Sequence, residues 1–244
     1  YKTLKDYERA LNYFNQAIAI AKDIGELRVE GRNTLQISIC NFERQNFEQA
    51  IPYCHKSLSI GQNIGDLIGE FNSYWLLGSI YLHLQNYQSS LEAYENQLVV
   101  SQKIGGYSEK SIVLANLAAH FFNRQEYSTA MEFYRQKLAL AYENSDRKEE
   151  ANTFGQIGTL QNSLSEYQQA IENFEQQLII VRELNDRTSE AGALGNIGFS
   201  YKGLGNRQYA IDYFKQWLAI SREINNRIWE NQALSQIGEL YNAL

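Results

Sequence analysis

Small residues stand every forty positions along this 244-residue chain, at Ala10, Ala50, Ser90, Ala130, Ala170 and Ala210. The pattern around them recurs too. Three places earlier come Tyr7, Phe47, Tyr87, Tyr127 and Tyr167, with Arg207 the one exception. Four places later come Phe14, Cys54, Tyr94, Tyr134, Phe174 and Phe214, and eight places later Ile18, Leu58, Leu98, Leu138, Leu178 and Leu218. A register held over this length identifies an array of stacked supersecondary units. Such an array needs no single core that grows with the chain, because each unit buries its apolar face on its neighbour.

Within each period two segments carry apolar residues at three- and four-residue spacing, which predicts two amphipathic helices and no strand. One runs over Phe47–Ile64, with Ala50, Ile51, Cys54, Leu58, Ile60 and Ile64 on one face; the segment before it, near Val29–Phe42, uses Leu35, Ile37, Ile39 and Phe42. In the first helix of each pair Leu77, Leu117, Ile157, Ile197 and Ile237 are followed by Gly78, Ala118, Gly158, Gly198 and Gly238, with Ser38 serving in the first repeat. Small residues there allow a partner helix to approach closely.

The breaks are as regular. Gly25, Gly65, Gly105, Ser145, Asn185 and Asn225 recur fifteen places after each small residue, and glycine and asparagine accept the left-handed backbone that closes a helix. Asp66, Asp146 and Asp186 follow as N-caps, and the acidic row Glu30, Glu70, Glu150, Glu190 and Glu230 suits the positive end of the next helix. Inside each repeat, Gln45-Asn46, Gln85-Asn86, Gln125-Glu126, Ser165-Glu166 and Gly205-Asn206 give short polar turns. Short turns make antiparallel pairs. The fold class expected is all-α: a superhelical solenoid of antiparallel helix pairs in a single helical-repeat domain over 1–244. It comprises a half repeat 1–25, full repeats 26–65, 66–105, 106–145, 146–185 and 186–225, and a half repeat 226–244.

The spacing in Ile197, Gly198, Tyr201, Ala210 and Phe214 resembles the tetratricopeptide repeat, in the long forty-residue branch that includes the kinesin light chains and the Leu-Gly-Asn repeat proteins. Leu194-Gly195-Asn196-Ile197-Gly198 reproduces the signature of that branch, and Asp146-Arg147 and Asp186-Arg187 match the acidic-arginine pair that commonly opens its units. Similar arrays stand beside signalling or protease-like domains in many bacterial, especially cyanobacterial, proteins. The resemblance covers essentially the whole chain and departs from the pattern at Thr34, Ser38, Asn41 and Arg207; Tyr209 lies close enough to fill part of the gap at Arg207.

The resemblance implies that the first helix of each pair lines a concave groove. Two places before its small residue stand Gln36, Leu76, Asn116, Gln156, Asn196 and Gln236, and five of these six are carboxamides, able to donate to and accept from the backbone of an extended ligand. The alternative is that they are tolerated on a polar face or bridge to the adjacent repeat. Asn72, Trp75, Asn152, Phe199 and Lys202 complete the candidate site, with Gly155, Gly192, Gly195 and Gly203 leaving room for a ligand backbone. Trp75 and Phe199 either anchor an apolar ligand side chain or pack on the next repeat. The arginine row Arg147, Arg187 and Arg227 either grips acidic ligand groups or, the preferred reading, pairs with the acidic row.

Composition narrows the function classes. The net charge of −6 is spread along the chain with no basic cluster, which argues against nucleic acid, and no run approaches the roughly 18 apolar residues of a membrane span. Cys40 and Cys54 read as buried free thiols, so a reducing, cytoplasmic setting is expected. No catalytic residue, metal site or cofactor is expected: His55, His83 and His120 are scattered, and adjacent Cys54 and His55 diverge by about 100° on a helix. The chain opens at Tyr1 without an initiator methionine and reads as a fragment. The expected function is a protein-interaction scaffold that holds an extended or partly helical segment of a partner. The alternatives are a sensor controlling a domain outside this sequence, and end-to-end self-association through the half repeats, with Ile237, Leu240 and Tyr241 as contacts.

Overall fold

The computed structural model describes residues 6–242, and over them the chain is helix and short turn. The helices are α1 (Tyr7–Asp23), α2 (Leu27–Glu43), α3 (Phe47–Ile64), α4 (Leu67–His83), α5 (Tyr87–Ile104) and α6 (Tyr107–Asn123), then α7 (Tyr127–Glu143), α8 (Arg147–Ser163), α9 (Tyr167–Glu183), α10 (Arg187–Gly203), α11 (Arg207–Glu223) and α12 (Arg227–Asn242). Each begins twenty residues after the last, so the forty-residue period consists of two equal helical halves.

A single kind of break separates them. Every helix from α1 to α11 closes over a residue with positive φ, at positions 25, 45, 65 and so on to 225. At most breaks the next amide donates to the carbonyl five residues back: Glu26 to Ala21 at 2.8 Å, Asn46 to Asn41 at 2.8 Å, Asp186 to Val181 at 2.9 Å. This six-to-one bond satisfies a carbonyl that the helix end would otherwise orphan. The sequence distinguishes breaks between repeats from polar turns within them; the backbone makes them alike, holding Gln45, Gln85 and Gln125 at φ 63°, 57° and 62°. Left-handed backbone costs a residue other than glycine about 1–2 kcal/mol, and part of that is offset because glycine loses more freedom on folding. Glycine at Gln45, Gln85 or Gln125 is therefore expected to stabilise the fold by about 0.5–1 kcal/mol per site. The urea midpoints of the three single variants test this, and midpoints at or below wild type contradict it.

Helices α1–α6 form one compact unit and α7–α12 another. The core of the first is built around Ala50, Cys54, Leu58, Leu76, Leu77 and Ile80, that of the second around Ala170, Phe174, Leu194, Ile197, Ala210 and Phe214. The expected close approach is present. A Cβ added to Gly78 would meet the Tyr94 ring at 2.4 Å, and one on Gly158 or Gly198 would meet Phe174 or Phe214 at 2.7 or 2.6 Å. Where serine enters this contact it closes it with a hydrogen bond, from either side. Ser38 donates to the Ala50 carbonyl at 2.8 Å, and in the next repeat Ser90 donates to the Gly78 carbonyl at 2.9 Å.

The polar departures of the first repeat are satisfied internally, Thr34 donating to the Glu30 carbonyl at 2.8 Å and Asn41 to the Ile37 carbonyl at 3.0 Å. At the Arg207 departure, Tyr209 stacks on Tyr201 with ring centres 5.1 Å apart.

Asp66, Asp146 and Asp186 cap α4, α8 and α10 by accepting from the amides of Gly69, Glu149 and Ser189. Four acids of the row, Glu30, Glu150, Glu190 and Glu230, make ion pairs. Glu30 receives Lys56 at 2.7 Å, Glu150 receives Arg147 at 2.5 Å, and Arg187 joins Glu190 on its own helix to Glu223 on α11. Arg147 likewise spans to Glu183 at 2.7 Å, and Arg227 pairs with Glu230 at 2.6 Å. Arg147 and Arg187 thus tie neighbouring helices, while Arg227 pairs within its own; contact with Arg187 holds the Glu223 carboxyl below the usual carboxylate range. Cys40 and Cys54 are free and buried, and burial pushes the Cys54 thiol up to about 12, away from reactive thiolate.

Candidate functional site

Within the first unit α2 touches α4 and α4 touches α6, and within the second α8 touches α10. The first helices of successive repeats therefore lie side by side and form one face of each unit, with α3, α5, α9 and α11 as its floor. This face holds the carboxamide row, and the structure divides the row by what each amide touches.

In the first unit Gln36 is exposed and Leu76 is fully buried. Asn116 donates to Gln97 Oε1 of α5 at 3.1 Å. In the second unit Gln156 accepts from Lys137 of α7 at 2.9 Å and Gln236 accepts from Lys202 at 2.6 Å. Three of the five amides thus bridge to a neighbouring helix. Asn196, half-buried, makes no side-chain hydrogen bond within the described residues.

The other candidates divide similarly. Trp75 is half-buried against the core of the first unit. Phe199 leaves 41% of its surface exposed while its ring meets Phe214 edge-on at 5.1 Å and Trp217 at 6.1 Å. Lys202 is engaged by Glu239 at 2.8 Å besides Gln236, and exposed Asn152 donates to Glu149 at 3.2 Å. Asn72 is exposed beside Gln36, at the rim of a cavity of about 310 Å³ in the first unit. The expected room at the inner glycines is mostly filled by the protein's own side chains. A Cβ on Gly155 would meet the Gln177 amide at 2.7 Å, one on Gly195 the Trp217 ring at 3.2 Å, and one on Gly203 the Tyr167 ring at 2.5 Å; Gly192 alone of the four faces open space. At the C-terminal end Leu240 belongs to the core, Ile237 packs against it, and Tyr241 is half exposed beside Lys215.

Sequence reasoning missed the floor. Nineteen places before Leu76, Asn116, Gln156, Asn196 and Gln236 stand Ser57, Gln97, Lys137, Gln177 and Trp217 on the second helices, with Ala17 at the same offset from Gln36. The signal was available: polar residues recurring at the forty-residue period inside an otherwise apolar face. Three of these five hold polar atoms that are buried without a protein partner, namely Gln97 Nε2, Gln177 Oε1 and Trp217 Nε1. Buried polar groups are nearly always paired, because an unpaired one costs about 1–3 kcal/mol.

One serine–histidine contact also escaped the sequence reading. Ser90 Oγ lies 3.1 Å from His120 Nδ1, and both residues are fully buried. Because Ser90 gives its single proton to the Gly78 carbonyl, it accepts from His120, which leaves Nε2 as a bare acceptor. Burial holds this imidazole below its ordinary pKa, so it stays neutral. A serine whose proton is committed to a carbonyl inside the core has no route to attack a substrate. Among the described residues no group of three or more His, Cys, Asp or Glu side chains could hold a metal ion, and no helix is long and apolar enough to cross a membrane.

Comparison with known proteins bears on this geometry. A tetratricopeptide repeat family model matches residues 32–95, 69–143 and 149–223, and a second one residues 1–24. No curated protein matches the sequence. Among solved structures the chain is similar to BtubC (BKLC) from P. vanneervenii, with 18% identity over 91% of this chain and 93% of that one and a TM-score of 0.78. It is similar as well to the nearly identical TPR-like repeats of a putative kinesin light chain from Podosopora anserina, with 16% identity over 80% and 96% and a TM-score of 0.66. A Rap protein complexed with Competence and Sporulation Factor matches with 16% identity over 96% and 73% and a TM-score of 0.66.

Proposed function

The chain belongs to the tetratricopeptide repeat family, and from that premise we propose that it is a protein-interaction scaffold holding an extended segment of a partner along the face of its first helices. The observation that carries this reading is a strip on α10. Gly192, Asn196 and Phe199 stand at four- and three-residue spacing, which places them on one side of the helix. They combine open space at Gly192, a carboxamide without a protein partner and an exposed ring edge. A ligand backbone can lie close over Gly192, exchange N–H and C=O bonds with Asn196 and set an apolar side chain against Phe199. Gln177 Oε1, orphaned in the floor beneath, is a further acceptor that a small side-chain rotation can offer.

Gln36 and Asn72 are the corresponding uncommitted amides of the first unit. Asn116, Gln156, Gln236 and Lys202 serve a ligand only by exchanging a bond within the protein, so their contribution is smaller. The relative complexed with Competence and Sporulation Factor supports ligand capture by this fold.

The test uses peptides selected on the wild-type chain from a randomised peptide display library. The double variant Asn196→Ala, Phe199→Ala alters a half-exposed strip and should keep the thermal melt of the fold. It is expected to bind the selected peptides at least about tenfold more weakly, the loss of a hydrogen-bonded contact and an aromatic anchor. Unchanged affinity in a folded double variant removes the basis of this reading.

A further inference from the structure

The first unit contains a cavity of about 310 Å³ between α2 and α4 with α3 at its base, near the lower end of the range of ligand pockets. Its walls are aliphatic, from Leu35, Ile60, Ile64 and Ile68, and no aromatic ring lines it. Arg28 and Arg32 stand at its mouth. Asp66, the single acid there, is paired with Arg28 at 3.6 Å, and Arg32 has no ionic partner among the described residues. The mouth thus carries an uncompensated positive charge over an apolar interior.

Two lining positions distinguish this repeat from the later ones. At the position of Gly31 the later repeats hold Phe71, Ser111, Ala151 and Ala191. At the position of Ile60 they hold Val100, Leu140, Ile180 and Ile220, all buried, whereas Ile60 is half-exposed to the cavity. Glycine inside a helix weakens it, so it calls for a reason. Gly61 has one in packing, since a Cβ there would lie 3.3 Å from the Glu70 backbone nitrogen. Gly31 has none of that kind: its added Cβ would meet only the Ile60 side chain, at 3.1 Å.

We propose that the cavity beside Gly31 is a specificity pocket that takes one large aliphatic side chain of a partner peptide, Leu, Ile or Met, with Arg32 reading an Asp or Glu beside it. The occupant is a peptide segment and not a free amphiphile because the exposed amides of Gln36 and Asn72 flank the mouth, where they can bond a continuing backbone. This rests on the scaffold reading above and adds a sequence preference to it.

The experiment sequences the peptides enriched on the wild-type chain from the randomised display library, then measures their affinity for two variants. Gly31→Leu fills the pocket, and Arg32→Glu reverses the charge at an exposed site. The enriched peptides are expected to share an aliphatic residue adjacent to an acidic one. Gly31→Leu should weaken them at least tenfold, and Arg32→Glu should weaken them similarly while favouring versions with Lys in place of the acid. Should Gly31→Leu fail to fold, the charge swap in Arg32→Glu decides alone. Enriched peptides without the pair, or affinities within twofold of wild type in the folded variants, overturn the pocket. In that case the scaffold reading survives if Asn196→Ala, Phe199→Ala still weakens them. Absence of any enriched peptide overturns both.

Discussion

Alanine at Gly198 is expected to destabilise the second unit by about 1–3 kcal/mol, although in an unconstrained helix the same substitution stabilises by about 0.5–1 kcal/mol. The new Cβ would sit 2.6 Å from two ring carbons of Phe214. Phe214 is fully buried, with Phe199 edge-on at 5.1 Å and Trp217 tilted at 6.1 Å, so it has nowhere to withdraw. Relief requires α10 and α11 to separate, which uncovers part of the core they share. Gly238 is the internal control. It occupies the same repeat position on α12 and has nothing within 4 Å of an added Cβ, so Gly238→Ala should gain the ordinary helix increment of about 0.5–1 kcal/mol. Urea midpoints of the two variants should move in opposite directions, with Gly78→Ala following Gly198→Ala because of Tyr94. If Gly198→Ala raised the midpoint, close helix approach would not be the reason for glycine at this position.

What the sequence shows and what it hides follow from the range of the interactions. Helix pairs, left-handed breaks, aspartate caps and the acidic and arginine rows are set by residues within one or two turns, or by neighbours at a fixed repeat offset; periodicity alone therefore displays them. The equivalence of the two kinds of break was hidden by Gln45, Gln85 and Gln125, because glutamine gives no local signal for positive φ. The groove was only half legible. The row from Gln36 to Gln236 is visible in the period, but whether each amide is free depends on side chains of neighbouring helices, nineteen places earlier for Asn116 and Gln156 and thirty-four for Gln236. Gln97 and Lys137 hold Asn116 and Gln156, whereas Gln177 makes no bond to Asn196. The glycines at 155 and 195 read as open because the long side chains that fill them, Gln177 and Trp217, come from the following helix. The cavity under Arg32 depends on how residues of α2, α3 and α4 come together around Ile60, which is not a property of a local pattern.

Lys137 is a second position where a large effect is expected. Its side chain is 4% exposed, and the ammonium donates to Glu149 at 2.7 Å and Gln156 at 2.9 Å. Replacing Glu149 by Gln strands a buried cation. At full burial such a loss costs about 3–5 kcal/mol, but Glu149 is 24% exposed and water takes over part of its role, so about 2–3 kcal/mol is expected. Replacing Lys137 by Met removes the charge and keeps most of the apolar stem. That change leaves Glu149 without this cation, but at 24% exposure water can solvate it, so the loss should be smaller, about 0–1 kcal/mol. The asymmetry follows from the unequal burial of the two partners. Equal losses in urea denaturation of Glu149→Gln and Lys137→Met would instead assign both residues an ordinary surface contact. The double variant should recover most of the Glu149→Gln loss, since no unpaired cation remains. Lys137→Met also releases Gln156, leaving its carboxamide as uncommitted as that of Asn196 one repeat later. Peptide affinity should then hold or rise in Lys137→Met while stability stays level or falls slightly, so fold and binding respond separately to one substitution.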